Sequence, residues 1–202
     1  MIVPDNRPSH IRAAEIIQRG GVIAFRTDTF YGLGAAPLNR DAVARIRKLK
    51  GREDTKPILL LISDAVEVDR FIATRSETFD SIANRFWPGP LTLIGLARPK
   101  LPEELTAGTK TIGLRLPNEE NVRYLVRACG GALTATSANV SGKQPARTAK
   151  EVEEYFPEGI DLIIDGGEVT ATQPSTVVDL SGSQARLIRE GAVNREMLAD
   201  WL

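Results

Sequence analysis

The longest apolar run in the chain, Ile58-Leu59-Leu60-Leu61-Ile62, contains no polar interruption. A strand with one wet face alternates apolar and polar residues, so an unbroken run predicts a strand covered on both faces. The covering helices are readable on either side. Ser9–Gln18 puts Ile11, Ala14 and Ile17 on one face and stops at Gly20-Gly21, and Asp41–Lys50 turns Val43, Ile46 and Leu49 inward. Further helical patterns occupy Ala65–Ile72, Glu77–Phe86 and Glu119–Ala128, and Thr148 with Glu151 forms a capping box for a helix reaching Phe156.

Between these helices the pattern changes to short strands. Val22–Phe25, Leu91–Leu96, Thr111–Leu116, Ala132–Ala135, Leu162–Ile164, Thr176–Leu180 and Arg186–Ile188 read as strands, and Asn194–Leu202 as a closing helix. Trp87-Pro88-Gly89-Pro90 forces a turn or ordered loop, and the glycines of Phe30-Tyr31-Gly32-Leu33-Gly34 allow a sharp one. No repeat or low-complexity linker divides the chain. The expectation is one α/β domain over residues 1–202, built on a mostly buried, twisted mixed sheet with flanking helices. Polar residues gather where strands end, and open α/β sheets bind ligands in loops leaving their strand ends.

Composition removes several chemistries. Cys129 is the only cysteine, which excludes an internal disulfide, and His10 is the only histidine, which excludes a Cys/His zinc cluster and disfavours a Ser-His-Asp triad. No apolar stretch is long enough to span a bilayer and no leader-like segment opens the chain, so no membrane association and a cytoplasmic location are expected. The 26 basic and 26 acidic side chains cancel, which gives little nonspecific pull on nucleic acid.

Six segments carry polar chemistry. Lys50-Gly51-Arg52, with Lys56 beyond, leaves a helix end, where cations also simply favour the helix dipole; converging on a cleft they would hold a polyphosphate. Ser137-Ala138-Asn139 at a strand exit suits either a self-bonded turn or phosphate contacts. Thr27-Asp28-Thr29 precedes glycines that match no P-loop and no dinucleotide fingerprint; Asp28 could hold a metal through its oxygens, but a lone carboxylate is poor ground for a site. Arg115, between apolar neighbours on a strand, either snorkels outward or points into a site where it pairs with a carboxylate. Ser175 and Arg189 lie in the remaining segments, Pro174-Ser175-Thr176-Val177 and Ile188-Arg189-Glu190-Gly191.

Taken in this order, the motifs resemble those of the YrdC/TsaC family of threonylcarbamoyl-AMP synthases, with Lys50, Arg52, Ser137 and Asn139 similar to the family's Lys-x-Arg and Ser-x-Asn signature. The resemblance implies a twisted α/β fold with a basic concave cavity. The activity it implies joins L-threonine, bicarbonate and ATP, with Mg²⁺ accompanying the ATP, into threonylcarbamoyl-AMP and pyrophosphate. Downstream tRNA threonylcarbamoyl-transfer proteins would then carry the group to the threonylcarbamoyladenosine position of tRNA.

By position the resemblance implies Lys50 and Arg52 as catalytic residues. Arg52, Lys56, Thr111, Ser137, Asn139 and Arg189 would contact ATP; Thr29, Arg115 and Ser175 would contact threonine; no protein ligand to a metal is implied. The chain departs from many relatives at Arg26, where they carry proline, and at Leu61, where some carry a histidine. The extra C-terminal domain of Sua-type relatives is expected to be absent, and residues 166–174 are expected to act as a lid from their composition. The alternatives are weak binding of double-stranded RNA or tRNA in the basic concavity, and action on another carbamoyl or acyl-adenylate substrate.

Overall fold

The computed structural model describes residues 1–51 and 57–202. The chain opens with β1 (Ile2–Pro4) and α1 (Arg7–Gln18), then forms a hairpin of β2 (Ile23–Arg26) and β3 (Tyr31–Gly34) leading to α2 (Arg40–Leu49). After β4 (Leu60–Ile62) come α3 (Val68–Phe71), α4 (Glu77–Phe86), β5 (Leu91–Leu96), α5 (Glu103–Thr106), β6 (Thr111–Arg115) and α6 (Glu120–Ala128). The remainder holds β7 (Ala132–Thr134), β8 (Thr136–Ser137), α7 (Ala149–Tyr155), β9 (Leu162–Asp165), β10 (Thr176–Asp179) and β11 (Arg186–Arg189).

The mixed α/β architecture is the expected one, but its strands divide between two sheets. One runs β1-β9-β2-β3-β8 and the other β11-β10-β5-β6-β4-β7. The chain crosses between them at Ala135. Its N–H donates to Leu59 O at 2.8 Å, while the neighbouring Thr134 N–H donates to Ala35 O at 3.0 Å. The Thr134 hydroxyl accepts from Ala35 N at 2.8 Å, so one residue serves both sheets. The run Ala132–Ala135 therefore reads as one strand in sequence, and β8 carries its continuation into the other sheet.

Helix boundaries follow from their caps. Asn6 starts α1 by accepting from Ser9 N at 3.0 Å, two residues ahead of the expected start, with Pro8 in the first turn. Thr148 accepts from Glu151 N at 3.2 Å as the capping box predicts, but the return bond from Glu151 goes to Arg147 N, one residue outside the cap. α1 packs on the first sheet and α6 on the second, and the two helices join one core cluster that includes Ile17, Phe25, Val126 and Leu133, all at most 2 % exposed. Burying each such side chain contributes about 1.5–3 kcal/mol before chain entropy is counted.

Two segments differ from their sequence readings. Tyr31–Gly34 is a strand paired with β2, not a turn; a Cβ on Gly34 would lie 2.7 Å from the Phe25 ring, so its glycine makes room for that ring. The expected closing helix is one 3-10 turn, Glu196–Leu198. Leu198 is fully buried there, and the Trp201 indole donates to Ser81 Oγ at 3.0 Å. Winding at three residues per turn puts these two anchors, three apart, on the same side.

Candidate active site

A cavity of about 580 Å³ is lined from both sheets: by the β2–β3 hairpin and β8 on one side, and by β4, β5, β6, β10 and β11 on the other. Its floor is a transverse row across the second sheet. Leu61 pairs with Arg115, and Leu93 with Leu114, a register that sets Thr92 opposite Arg115. Val177 pairs with both Thr92 and Arg189. Residues in register on neighbouring strands project to the same face, so Leu61, Arg115, Thr92, Val177 and Arg189 line the cavity together.

Arg115 is 3 % exposed, and its guanidinium is held on three sides. Nε donates to Gly89 O at 3.3 Å, Nη1 to Thr29 Oγ1 at 3.1 Å, and Nη2 to Asp28 Oδ1. Three of its five N–H groups are thereby used, leaving one on each terminal nitrogen. Asp28 thus pairs with an arginine, and its buried Oδ2 has no hydrogen-bond partner among the described residues. At the far end of the row Arg189 donates from Nη2 to Ser175 O at 2.8 Å and to Ser175 Oγ at 3.1 Å. Burial, and then repulsion from Arg115, pull the Arg189 guanidinium below its ordinary pKa. Two cations disfavouring one another across one cavity form a receptor for an anion.

Lys50 and Asn139 lie behind this surface and do not line the cavity. The Lys50 ammonium, on a residue 5 % exposed, donates to Ser137 O at 2.5 Å and to Asn139 O and Oδ1 at 3.2 Å each. Ser137 Oγ donates to Asn139 Oδ1 at 2.5 Å, and Asn139 Nδ2 donates to Lys143 O at 2.7 Å. The polar turn and the helix end, read separately as two candidate binding elements, form one network that presents Ser137 to the cavity.

The cavity brings together Thr29, Arg115, Ser137, Ser175 and Arg189 of the expected residues. Thr111 lies on the same face of β6 as Arg115 but four residues away, outside the cavity lining, its hydroxyl 2.9 Å from that of Thr109. Arg52 and Lys56 lie outside the described residues. Sequence reading missed Asp28 as the partner of Arg115, and Thr92 and Gly113 as lining. For Thr92 the signal is a hydroxyl inside an apolar strand, Leu91-Thr92-Leu93-Ile94. For Gly113 it is a glycine inside a strand: a Cβ there would meet Thr92 Cγ2 at 3.1 Å. Leu61 and Arg26, the two departures from relatives, have separate fates. Leu61 adds apolar surface to the cavity, and Arg26 donates to Glu119 Oε2 at 2.6 Å.

Residues 166–169, the first part of the expected lid, are tied down. The Tyr31 hydroxyl donates to Gly167 O at 2.9 Å and accepts from Gly166 N at 3.2 Å; burial, then the Asp165 charge, push it up to about 12. Arg147 Nη2 donates to Val169 O at 2.7 Å, and Val169 is 1 % exposed. Among the described residues no group of three His, Cys, Asp or Glu side chains is arranged to hold a metal ion. No helix among them is long and apolar enough to cross a membrane.

Residues 15–191 match the profile of the Sua5/YciO/YrdC family, described as "Telomere recombination". The chain belongs to this family. It is 34% identical to threonylcarbamoyl-AMP synthase of Halorhodospira halophila over 177 residues, 87% of this chain and 93% of that protein. It is 38% identical to the Pyrococcus abyssi threonylcarbamoyl-AMP synthase over 184 residues, 91% of this chain but 54% of that protein. The chain thus spans about half the length of that Sua5/YciO/YrdC relative. Among solved structures of the family, P. abyssi Sua5 complexed with L-threonine superposes with a TM-score of 0.94 at 34% identity, covering 100% of this chain and 61% of that one. E. coli YciO superposes with a TM-score of 0.85 at 28% identity, covering 100% and 98%.

Proposed function

We propose that this chain is a threonylcarbamoyl-AMP synthase, a nucleotidyltransferase that makes threonylcarbamoyl-AMP and pyrophosphate from L-threonine, bicarbonate and ATP. The observation that carries the reading is the pair Arg115 and Arg189 on one cavity floor, in a fold that superposes at 0.94 on a relative holding L-threonine. The two remaining N–H groups of Arg115 suit a carboxylate taken bidentately. Thr29 and Ser175 border that position, and both already contact an arginine. Thr111 and Arg115 are four strand residues apart, about 13 Å, enough for a nucleotide to lie along the same face. The side chains supply a positively charged wall, offset in part by Asp28.

The chemistry asks little acid–base work of the protein. The threonine amine, as the free base, captures bicarbonate with loss of water, or carbon dioxide with release of a proton to solvent, and the carbamate formed is already anionic. One carbamate oxygen then bonds to the α-phosphorus of ATP while the bond to the bridging oxygen breaks and pyrophosphate departs. Positioning and charge neutralisation dominate such a transfer. Ser137 presents a hydroxyl at the cavity; Lys50 and Asn139 act through it as positioning residues, and Arg52 and Lys56 are assigned to the phosphates. The described residues hold no metal cage, so Mg²⁺ is assigned to the ATP itself, as part of the substrate complex. Apolar walls at Leu61, Ile58 and Val177 exclude water from the product, a mixed anhydride. A cytoplasmic location and hand-over to tRNA threonylcarbamoyl-transfer proteins belong to the same reading.

The test is pyrophosphate release from ATP and Mg²⁺, with threonine and bicarbonate each supplied or omitted. Turnover requires both substrates, and Arg52→Ala is expected to cost turnover far more than stability. Turnover independent of threonine refutes the reading. Salt-sensitive tRNA binding that persists without ATP, and no turnover, would instead favour the RNA-binding alternative.

A further inference from the structure

The proton inventory of the cavity floor is unequal at its two ends. Near Arg115 it closes: Thr27 Oγ1 donates to Phe30 O at 2.7 Å, so the 3.2 Å contact between Thr27 and Thr29 uses the Thr29 proton. Thr29 Oγ1 then accepts from Arg115 Nη1. Every hydroxyl proton there has an acceptor.

At Thr92 the inventory does not close. Thr92 Oγ1 and Ser175 Oγ lie 3.2 Å apart, and their residues are 2 % and 3 % exposed. Arg189 Nη2 donates to Ser175 Oγ, so that oxygen already accepts one bond. If Thr92 donates to Ser175, the Ser175 proton has no acceptor among the described residues. If Ser175 donates, the Thr92 proton has none. Either way two hydroxyls share one bond, and one O–H is left on the cavity wall with free lone pairs beside it. A ligand oxygen seated on the cavity wall there would accept that O–H in place of solvent.

The register says where that oxygen sits. Thr92 is the cross-strand neighbour of Arg115 and lies between it and Val177, whose other partner is Arg189. Neighbouring strands are about 5 Å apart, so a small amino acid with its carboxylate on Arg115 lies over Thr92. Gly113 keeps the ground beside it clear, since a Cβ there would press on Thr92 Cγ2.

We propose that Thr92 is a specificity-determining residue: with Ser175 it receives the side-chain hydroxyl of the amino-acid substrate. An alcohol fits because it accepts the spare O–H and donates to a free lone pair of the same pair. A methyl group of equal size does neither. This inference rests on the amino-acid reading of the cavity made above.

The experiment is calorimetric binding of L-threonine and its isostere L-valine to the full chain, without ATP, for wild type, Thr92→Val and Thr92→Ser. Thr92→Val keeps the β-branched shape in β5 and removes the hydroxyl. Wild type and Thr92→Ser are expected to favour threonine over valine by about tenfold or more, the worth of one buried hydrogen bond, and Thr92→Val to lose that preference. If Thr92→Val does not fold, Thr92→Ala is read on the same ratio. A ratio unchanged by removal of the hydroxyl overturns the inference and leaves the synthase reading intact. Wild-type protein that binds no threonine overturns both.

Discussion

Replacing Lys50 by methionine separates a positioning lysine from one that acts on substrate. Methionine matches the stem in length and removes the ammonium. Four acceptors among the described residues lose one donor: Ser137 O at 2.5 Å, Ser137 Oγ at 3.5 Å, and Asn139 O and Oδ1 at 3.2 Å. The site is 5 % exposed, so water cannot simply replace the charge. Hydrogen bonds to a charged group are worth about 1.5–3 kcal/mol each, but they share one ammonium and do not add. Disruption of a buried charged network costs about 3–5 kcal/mol. For a domain of this length each kcal/mol moves the melting temperature by about 2–4 °C, so the expected fall is about 6–20 °C. Thermal and urea unfolding followed by circular dichroism measure it, beside pyrophosphate release at a temperature where the variant is folded. A variant that melts within about 2 °C of wild type yet shows no turnover would refute the structural argument. It would place Lys50 on the reacting groups.

Two further predictions rest on single side chains. Arg115→Lys removes the bidentate fork, and the KM for threonine is expected to rise about 10- to 100-fold, the equivalent of one or two charge-assisted hydrogen bonds. The KM for ATP is expected to change little; an equal rise in both would mean that the cavity had collapsed. Burial pushes the Cys129 thiol from 9.0 to about 12, so at pH 8 the folded protein is expected to resist iodoacetamide and the urea-unfolded chain to react fully. The raised value also has a sign: protection is complete below pH 9 and is lost as pH climbs toward about 12, because the unfolded chain gives up the proton first. The Tyr31 phenol, raised from 10.0 to about 12, adds to the same alkaline loss. Urea midpoints at pH 8, 9, 10 and 11 check this, and a flat profile would contradict it.

Much of the fold is local and was legible. The unbroken run Ile58–Ile62 announced a covered strand because no wet face tolerates it, and β4 is buried throughout. Asp41–Lys50 announced α2 because Val43 and Ile46 recur at helical spacing, and both are fully buried. The strand Tyr31–Gly34 was hidden because its glycines, which read as a turn, are there to clear the Phe25 ring of the neighbouring strand. Arg115, Ser137, Ser175 and Arg189 were singled out from residue type and order, and they do share one cavity.

What residue order determined by itself was therefore which polar side chains stand at strand ends and which segments must be buried, since both follow from neighbours within a few positions. Tertiary structure alone decided that Lys50 lies behind Ser137, that Asp28 takes one side of Arg115, and that Thr92 stands between two arginines. Each depends on contacts between residues about 80 or more positions apart in some cases, across strands whose pairing is settled by burial of whole faces. A one-residue slip in the register of β5 against β6 would turn Thr92 to the opposite face. No inspection of the local sequence around Thr92 contains that information.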